Sequence, residues 1–394
     1  MKYSIIIPTY SNFEGLKACL ESIEKYTDLT QSEVIVSCNG CPNEALIYLR
    51  EKPFIVLHNQ DPIGYARAVN EGIKYAQGEY LVLLNDDTVL LEQEKNDWLT
   101  ILESGMVGNV AITGPLLSYS PPAEHNFIIF FCAMIKRSLI DEIGQLDTSF
   151  GVGGGEDTDY CIKHIVTGYS FAQVPNENLS IRDGFMVGSF PIYHKGEATV
   201  NQNPEWKQIF EKNSKLLESR YKLPEGWFYG DDIKAYRMLA ENIKDGGTIC
   251  ELGSWQGRSL CSIADIIKRK GLRVIAVDTF EGTVNEGDMH SFAKDHDLCD
   301  IFASNLERFG IKAEIYKMTT NEASQMVDEP IDLLFIDADH SYEAVKQDIE
   351  NWKSKVTTYI AGHDFNTWEG VTKAVKEAYP NVQSIGSVWY KKLS

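Results

Sequence analysis

Basic residues, long apolar runs and paired cysteine motifs are all scarce in this chain of 394 residues. Its 37 Lys and Arg residues stand against 57 Asp and Glu residues, which gives a formal net charge of -20. This balance argues against nucleic acid as the main partner, because phosphate backbones need a basic protein face. The charge does not exclude small molecules that carry phosphate as partners, because a bound divalent cation can offset their charge locally.

No apolar run approaches the ~20 residues that a membrane helix needs, and the start lacks the pattern of a signal peptide. The longest apolar run, Phe127–Ile135, ends at Lys136 and Arg137. It indicates a buried strand, with peripheral membrane contact as the alternative. Cys38 and Cys41 form one CxxC without a second pair at metal spacing, so reduced thiols are expected. Together these features favour a cytoplasmic protein.

The length and the order of predicted elements indicate two α/β domains. A chain of this size is long for a single core. The first half alternates strands and helices, and the apolar strand Glu79–Leu84 is typical of a parallel sheet buried on both faces. A second alternating series begins at Thr248. We predict domains at residues 1–205 and 228–394, joined by a helical linker at residues 206–227.

A cluster of polar side chains follows the apolar strand in the first half. Asn85, Asp86 and Asp87 come where the strand ends, which is the edge at which parallel α/β sheets bind ligands. Such a cluster is costly beside a buried strand unless it binds something. Its oxygen atoms suit Mg²⁺ or Mn²⁺ bridging a diphosphate. The alternative is that Asp87 and Thr88 cap a following turn.

Several motifs around this cluster resemble the inverting GT-A glycosyltransferases of family 2. In chain order they are Ser4–Tyr10, Asn70–Gly72 with Gly78–Tyr80, Asn85–Thr88, Gly154–Tyr160 and Ile192–Gly196. The resemblance covers about residues 1–200. It implies a GT-A nucleotide-sugar-binding domain. This domain would transfer a sugar from a nucleotide-sugar donor to a glycan or glycosylated acceptor, with inversion.

The resemblance also implies roles for individual residues. Asp87 and His194 would hold a divalent metal, and Asp157 would be the general base that deprotonates the acceptor hydroxyl. Glu156 or Asp159 could take the base role instead, since the spacing does not decide between them. The donor-binding residues that it implies are Pro8, Thr9, Tyr10, Arg67, Asn70, Asn85, Asp86 and Asp87.

Two departures from the family pattern leave the identity of the donor nucleotide undecided. Val36 is followed by Ser37-Cys38-Asn39, where the family often has an aspartate that reads the base. Asn85 stands where the first acid of the usual Asp-X-Asp is found. His194 taken alone is more typical of a surface or core histidine, and only its sequence neighbours mark it as a ligand.

A glycine loop follows the first strand of the second series. Gly253, Ser254 and Gly257 lie between a strand that contains Glu251 and the start of a helix. Glycine lets the backbone approach a ligand closely, and a helix N-terminus favours polar groups. Asp278 ends the next strand, where it can accept hydrogen bonds from ribose hydroxyls. The loop lacks the third glycine of dinucleotide enzymes and the GK[ST] of ATP-binding loops.

The segment at about residues 228–394 resembles a class I, Rossmann-like methyltransferase that uses S-adenosylmethionine. Ile336–Tyr342 and Gly362–Phe365 make it similar to metal-dependent O-methyltransferases related to macrolide sugar-methylating enzymes. The cofactor-binding residues that this implies are Glu251, Gly253, Ser254, Gly257 and Asp278. Asp337 and Asp364 would hold Mg²⁺, and His340 would take the proton of a sugar hydroxyl. The alternative is that Asp337, Asp339 and Asp364 cap strand ends around a pocket without metal.

The two resemblances together imply a bifunctional enzyme of polysaccharide biosynthesis. Its cofactors would be S-adenosylmethionine and a divalent metal, Mg²⁺ or Mn²⁺, and its partners a nucleotide-sugar and a glycan. One alternative is that a single domain is catalytic and the other is a glycan-binding or scaffolding module. A wholly non-catalytic scaffold is a second alternative, which two clusters of costly acids argue against.

Overall fold

The structure is a computed structural model. It describes residues 1–163, 169–175, 180–182, 185–187, 189–196, 204–282 and 287–393, with the backbone alone for residues 180–182, 185–187 and 287–289. The chain divides into two compact units, Met1–Lys222 and Leu223–Ser394. Each unit is built on a seven-stranded sheet flanked by helices, which confirms the predicted α/β class. Among the described residues, no helix is both long and apolar enough to cross a membrane.

The first unit combines one large sheet with three short two-stranded ladders. Its strands are β1 (Tyr3–Thr9), β2 (Ser32–Asn39), β3 (Ile55–Asn59), β4 (Tyr80–Leu84), β5 (Thr88–Leu90), β6 (Val110–Gly114), β7 (Leu117–Ser120), β8 (His125–Ile128), β9 (Cys132–Lys136), β10 (Ser170–Gln173), β11 (Ser180–Arg182), β12 (Phe185–Val187) and β13 (Ile192–His194). Its helices are α1 (Phe13–Tyr26), α2 (Asn43–Arg50), α3 (Tyr65–Tyr75), α4 (Asp97–Ser104), α5 (Arg137–Ile143), α6 (Glu156–Lys163) and α7 (Trp206–Tyr221), with a 3-10 turn at Thr148–Phe150.

The large sheet of the first unit has the order β10-β6-β9-β4-β1-β2-β3. Strands β1 to β4 are parallel, and β9 runs antiparallel to β4 and β6. All seven residues of β1 are buried, because helices cover both faces of the sheet. The chain passes from β1 to β2 and β3 on one side, then returns to β4 on the other. The strand order therefore reverses between β1 and β4, which is where open α/β sheets leave a ligand crevice.

The apolar run at residues 127–135 lies inside the first unit. It forms the end of β8 and most of β9, so the predicted single strand is interrupted between them. Phe130 and Phe131 in the interruption are 3% and 2% exposed. The run therefore packs in the core, as the buried-strand interpretation predicted.

The segment predicted as a helical linker is mostly the helix α7, which packs within the first unit. Asn213 and Leu217 of this helix are buried. The Asn213 amide donates to the carbonyl oxygens of Phe150 and Gly153, each at 2.9 Å. This helix thereby holds the glycine-rich loop at residues 151–155, which leads into α6.

The second unit is a seven-stranded sheet of mixed direction. Its strands are β14 (Thr248–Leu252), β15 (Arg273–Asp278), β16 (Ala313–Lys317), β17 (Ile331–Ile336), β18 (Val356–Gly362), β19 (Gln383–Ile385) and β20 (Val388–Lys392). Its helices are α8 (Asp231–Glu241), α9 (Arg258–Ser262), α10 (Ala264–Lys270), α11 (Gly287–Asp295), α12 (Leu298–Arg308), α13 (Thr320–Ala323), α14 (Tyr342–Trp352) and α15 (Glu369–Ala378), with a 3-10 turn at Lys353–Lys355.

The sheet order in the second unit is β16-β15-β14-β17-β18-β20-β19. The five strands β14 to β18 are parallel, and β20 is antiparallel to both β18 and β19. The chain moves outward from β14 to β16 and then returns to β17 on the other side of β14. The crevice expected at a topological switch point therefore lies beyond the ends of β14 and β17.

Candidate active sites

The switch point of the first unit is bridged by the side chain of Asp86. The Thr9 hydroxyl at the end of β1 donates to Asp86 Oδ2 at 2.7 Å, and the Asn12 amide donates to Oδ1 at 3.4 Å. Burial raises the pKa of Asp86 to about 7, although these hydrogen bonds act in the opposite direction. Both oxygens of Asp86 are thus used to join the loop after β4 to the end of β1.

Asp87 and His194 are brought together by a short antiparallel ladder. Strand β13 pairs with β5 so that His194 lies opposite Thr88, and His194 Nε2 comes within 3.3 Å of Asp87 Oδ1. The imidazole also stacks on Phe131, with 4.2 Å between ring centroids. The structure thus assembles the predicted pair from segments far apart in the chain.

The donor atoms of this pair fit a metal. Both side chains are nearly buried, and Asp87 Oδ1 and His194 Nδ1 find no hydrogen-bond partner among the described residues. Buried polar atoms are normally satisfied, and a carboxylate with an imidazole suits a divalent cation such as Mn²⁺. Near Asp87 in sequence, Asn85 Oδ1 is a third buried polar atom without such a partner in the described part of the chain.

Asp159, one alternative for the general base, is fully occupied by ion pairs. Its side chain is completely buried, and its Oδ1 lies 2.7 Å from Arg220 Nη1 and accepts from the Tyr221 hydroxyl at 2.6 Å. Its Oδ2 lies 2.7 Å from Lys163 Nζ. Because Arg220 and Tyr221 stand at the end of α7, Asp159 ties that helix to α6. This arrangement gives Asp159 a structural role.

Asp157 and Glu156 remain as acids of the first turn of α6 that are not engaged by cations among the contacts described. Asp157 Oδ1 accepts from the Thr158 N–H at 2.7 Å, and Glu156 Oε2 is buried without a hydrogen-bond partner in the described residues. Burial raises the pKa of both carboxyls, and more so for Glu156. Asp157 is therefore the acid of this turn that ionises more readily near neutral pH.

The residues predicted to line the nucleotide pocket lie at one end of β1. Pro8 and Thr9 are buried there, and Tyr10 is 42% exposed. Thr9 faces the loop after β4 through its bond to Asp86. Of these three residues, Tyr10 is thus the one whose side chain a ligand can reach.

Asn70, predicted to face the diphosphate, has a different partner in the structure. It is buried on α3, where its amide donates to the Leu146 carbonyl at 2.8 Å and accepts from the Leu146 N–H at 3.0 Å. Both amide groups therefore fix the loop that precedes the 3-10 turn. Arg67, one turn earlier on α3, is exposed.

In the second unit, Gly253 allows two strand ends to meet. Its φ is 82°, and a Cβ built on it would lie 2.1 Å from the Asp337 carbonyl oxygen. The loop after β14 is thus pressed against the loop after β17. Gly257, which precedes α9, has a φ of 85°. Both predicted glycines therefore occupy the left-handed region that favours this residue.

Asp278 and Glu251 lie next to the glycine loop and make defined hydrogen bonds. Asp278 Oδ2 accepts from the N–H groups of Ser254 and Trp255 at 2.8 and 2.9 Å. Glu251 is completely buried in β14, and its Oε2 accepts from the Tyr236 hydroxyl at 3.3 Å. Burial raises the pKa of Glu251 to about 8. Both predicted cofactor residues thus support the loop, and Asp278 also lines the adjoining cleft.

Three side chains at the ends of β17 and β18 form a candidate metal centre. Asp337, His363 and Asp364 each offer a ligand atom, and these atoms lie within 4.8 Å of one another. His363 Nδ1 is 3.5 Å from both Asp337 Oδ1 and Asp364 Oδ2. Two carboxylates and an imidazole suit a divalent cation. The sequence interpretation named both aspartates but missed His363.

Strong electrostatic coupling marks this cluster. Despite its burial, the carboxylates of Asp337, Asp232 and Asp364 raise the pKa of His363 to about 12. Hydrogen bonds from His340 and His363 hold the pKa of Asp364 well below its usual range, although burial acts in the opposite direction. Close charges of this kind are common at functional sites.

His340, the predicted base, lies at the edge of the cluster. Its Nε2 is 3.0 Å from Asp364 Oδ2 and 4.0 Å from Asp337 Oδ1. The imidazole stacks on Trp368, with 5.1 Å between ring centroids. One cleft of about 790 Å³ reaches both the cluster and the glycine loop, and its lining includes Gly253, Ser254, Asp278, Asp337, His340 and His363.

The chain is similar to known proteins in both units. Residues 4–115 match glycosyl transferase family 2, and residues 250–365 match a methyltransferase domain. The uncharacterized protein y4gI of Sinorhizobium fredii is 26% identical over 267 residues, which are 56% of this chain and 27% of that protein. The matched segments span 27% to 34% of the length of the curated relatives.

The chain also shows low similarity to solved structures. A mannosyltransferase from Pyrobaculum calidifontis in complex with GDP-Man and Mn²⁺ is 17% identical, with a TM-score of 0.38 over 55% of this chain and 69% of that one. An O-methyltransferase from Bacillus cereus in complex with SAH is 18% identical, with a TM-score of 0.31 over 50% of this chain and 94% of that one. The family matches place a glycosyl transferase family 2 segment in the first unit and a methyltransferase domain in the second.

Proposed function

We propose that the first unit transfers a sugar from a nucleotide-sugar to a glycan hydroxyl with inversion, and that the second methylates a sugar hydroxyl with S-adenosylmethionine. One observation carries this proposal. In each unit, acidic and histidine side chains converge beyond the strand ends at the switch point or beside it, on the edge where α/β sheets bind ligands. Because each unit has its own convergent set, a purely scaffolding role for either one is not favoured.

For sugar transfer, the residues divide into donor and acceptor sides. Asp87 and His194 would hold a divalent cation, which would supply positive charge to the leaving diphosphate. Tyr10 and the end of β1 would contact the nucleotide. Asp157 would accept the proton of the acceptor hydroxyl as that oxygen attacks the sugar from the face opposite the leaving group. A single displacement of this kind inverts the anomeric centre.

For methyl transfer, the glycine loop would hold the cofactor, which supplies an electrophilic methyl group. Asp337, His363 and Asp364 would hold a divalent cation, which lowers the pKa of a sugar hydroxyl. His340 would take the proton of that hydroxyl, because its imidazole borders the cluster and the cleft. The substrate sugar would lie in the cleft that the loop and the cluster share.

Ligand-induced thermal stabilisation tests this proposal on the full chain. A ligand that binds only the native state raises the melting temperature. We expect S-adenosylmethionine to raise it, and one nucleotide-sugar of a panel to raise it only with Mn²⁺ present. Asp87→Asn should remove the Mn²⁺-dependent shift. The matched control is Asp141→Asn, which changes an exposed carboxylate on α5. The proposal fails if no nucleotide-sugar and no S-adenosylmethionine changes the melting temperature.

A further inference from the structure

A third acid, Asp232, lies next to the metal cluster of the second unit. It stands in the first turn of α8, and its Oδ2 is 3.4 Å from His363 Nε2. Its other oxygen, Oδ1, accepts from the Ser387 N–H at 2.7 Å. The side chain is 16% exposed. Each carboxylate oxygen of Asp232 therefore has one defined neighbour.

The turn between β19 and β20 is shaped to receive this carboxylate. Gly386 has a φ of 60°, and a Cβ built on it would lie 2.5 Å from Asp232 Oδ1. Any side chain at this position would push the carboxylate away or open the turn. The backbone of the hairpin thus fixes the Asp232 carboxylate at a set distance from His363.

His363 is held between Asp232 and the candidate metal ligands. Its Nε2 lies 3.4 Å from Asp232 Oδ2, and its Nδ1 lies 3.5 Å from oxygens of Asp337 and Asp364. The Phe228 ring lies 5.2 Å from the imidazole, measured between centroids, which restricts rotation of the ring. Metal-binding histidines commonly place their second nitrogen against a carboxylate, which orients the ring and strengthens the ligand.

We propose that Asp232 is a positioning residue for the metal centre of the second unit. It fixes the His363 imidazole so that Nδ1 faces the site between Asp337 and Asp364. This inference rests on the metal-binding role given above to Asp337, His363 and Asp364. It adds a residue that no motif indicated and that lines the same cleft as the cluster.

Titration of Mn²⁺ into the full chain tests this role. The parent protein carries Asp87→Asn, which removes a proposed metal ligand of the first unit and leaves one site to measure. Asp232→Asn should weaken Mn²⁺ binding by about 10- to 100-fold. The matched control is Asp231→Asn, because Asp231 precedes it on α8 but is 62% exposed and pairs with Lys234. That control should leave the Mn²⁺ dissociation constant unchanged.

A second pair of variants covers the case in which Asp232→Asn fails to fold. Gly386→Ala should displace the Asp232 carboxylate and weaken Mn²⁺ binding in the same direction. Its control is Gly271→Ala, since Gly271 has the same φ of 60° but nothing within 4 Å of a built Cβ. A difference between the two alanine variants isolates the contact with Asp232 from backbone strain.

The outcomes separate this inference from the metal site itself. If Mn²⁺ binds the parent and Asp232→Asn equally well, the positioning role is overturned while the metal site stands. If the parent binds no Mn²⁺ but still binds S-adenosylhomocysteine, the proposed metal site and the positioning role are both overturned. Methyl transfer without a metal is then the part of the proposed function that stands. Weakened Mn²⁺ binding with unchanged melting temperature supports the inference, because a purely structural aspartate would alter stability instead.

Discussion

At the residue scale, the partner of each buried acid distinguishes a structural carboxylate from a reactive one. Asp159 is surrounded by cationic and hydroxyl donors. Asp157, two residues earlier on the same helix, instead accepts from backbone N–H groups and from the Thr158 hydroxyl among the contacts described. Both belong to one acidic motif, and sequence spacing could not separate them. The three-dimensional contacts do so because α7 supplies cations to only one of them.

The first prediction compares these two acids by substitution. Asp159→Asn should lower the free energy of unfolding by about 1.5–3 kcal/mol, which is the range for hydrogen bonds to charged groups. Asp157→Asn should change stability little and remove sugar transfer. Urea unfolding and a sugar-transfer assay on both variants measure the difference. A folded, inactive Asp159→Asn beside an active Asp157→Asn would reverse the assignment.

The second prediction concerns pH. Burial raises the pKa of Asp157 to about 6, so its carboxyl is protonated below that pH and cannot act as a base. We expect kcat/KM for sugar transfer to rise about tenfold per pH unit below pH 6 and to level off above it.

Glu156→Gln serves as the control for this profile. Burial raises the pKa of Glu156 to about 8, so a profile that rises through about pH 8 and collapses in Glu156→Gln would assign the base to Glu156. A profile that is unchanged by Glu156→Gln supports Asp157.

At the scale of elements, function depends on how closely neighbouring strand ends approach. Gly253→Ala would place a Cβ 2.1 Å from the Asp337 carbonyl oxygen, which separates the loops after β14 and β17. The third prediction is that this variant binds S-adenosylmethionine at least about tenfold more weakly, since strain of 1–3 kcal/mol is typical of such positions. Isothermal titration calorimetry measures the affinity.

Gly246→Ala is the control for this change. Gly246 also has a positive φ, of 69°, but has open space around a built Cβ. Equal loss of affinity in both alanine variants would show that backbone strain alone, and not the contact with the Asp337 loop, controls the cofactor site.

The element scale also shows what the sequence could predict. An apolar strand ending in polar residues indicated the first crevice, because parallel strands place their carboxyl ends at one edge of the sheet. The glycine loop after β14 indicated the second crevice, and Asp337 followed only from the family resemblance. Residues whose side chains serve a distant loop were not predictable. Asn70 is an example, because its partner Leu146 lies on a segment with no pattern of its own.

Local backbone conformation explains why His363 was not predicted as part of the site. Neighbouring residues on a regular strand point to opposite faces, so His363 and Asp364 would not be expected to share a site. Asp364 instead has a φ of 63°. The ligand atoms of His363 and Asp364 both lie within 4.8 Å of that of Asp337. A left-handed aspartate cannot be read from sequence, and neither can the packing of α8 against β19 and β20. His363 and Asp232 were missed for this reason.

At the scale of the whole molecule, two candidate sites stand on two units of one chain. Each unit has its own sheet, its own switch point and its own acid–histidine set. The net charge of -20 means that divalent cations would find a favourable field near either site. Since no catalytic residue proposed for one unit comes from the other, the two activities should be separable by single substitutions.

The most direct test of this account measures both products of the full chain in one reaction by mass spectrometry. The reaction contains the cognate nucleotide-sugar, the acceptor glycan and S-adenosylmethionine. Asp157→Asn should add no sugar yet still methylate an acceptor that already carries it. Asp337→Asn should add the sugar without a methyl group. The account is contradicted if folded Asp157→Asn fails to methylate the acceptor that already carries the sugar, if folded Asp337→Asn adds no sugar, or if either substitution changes neither product.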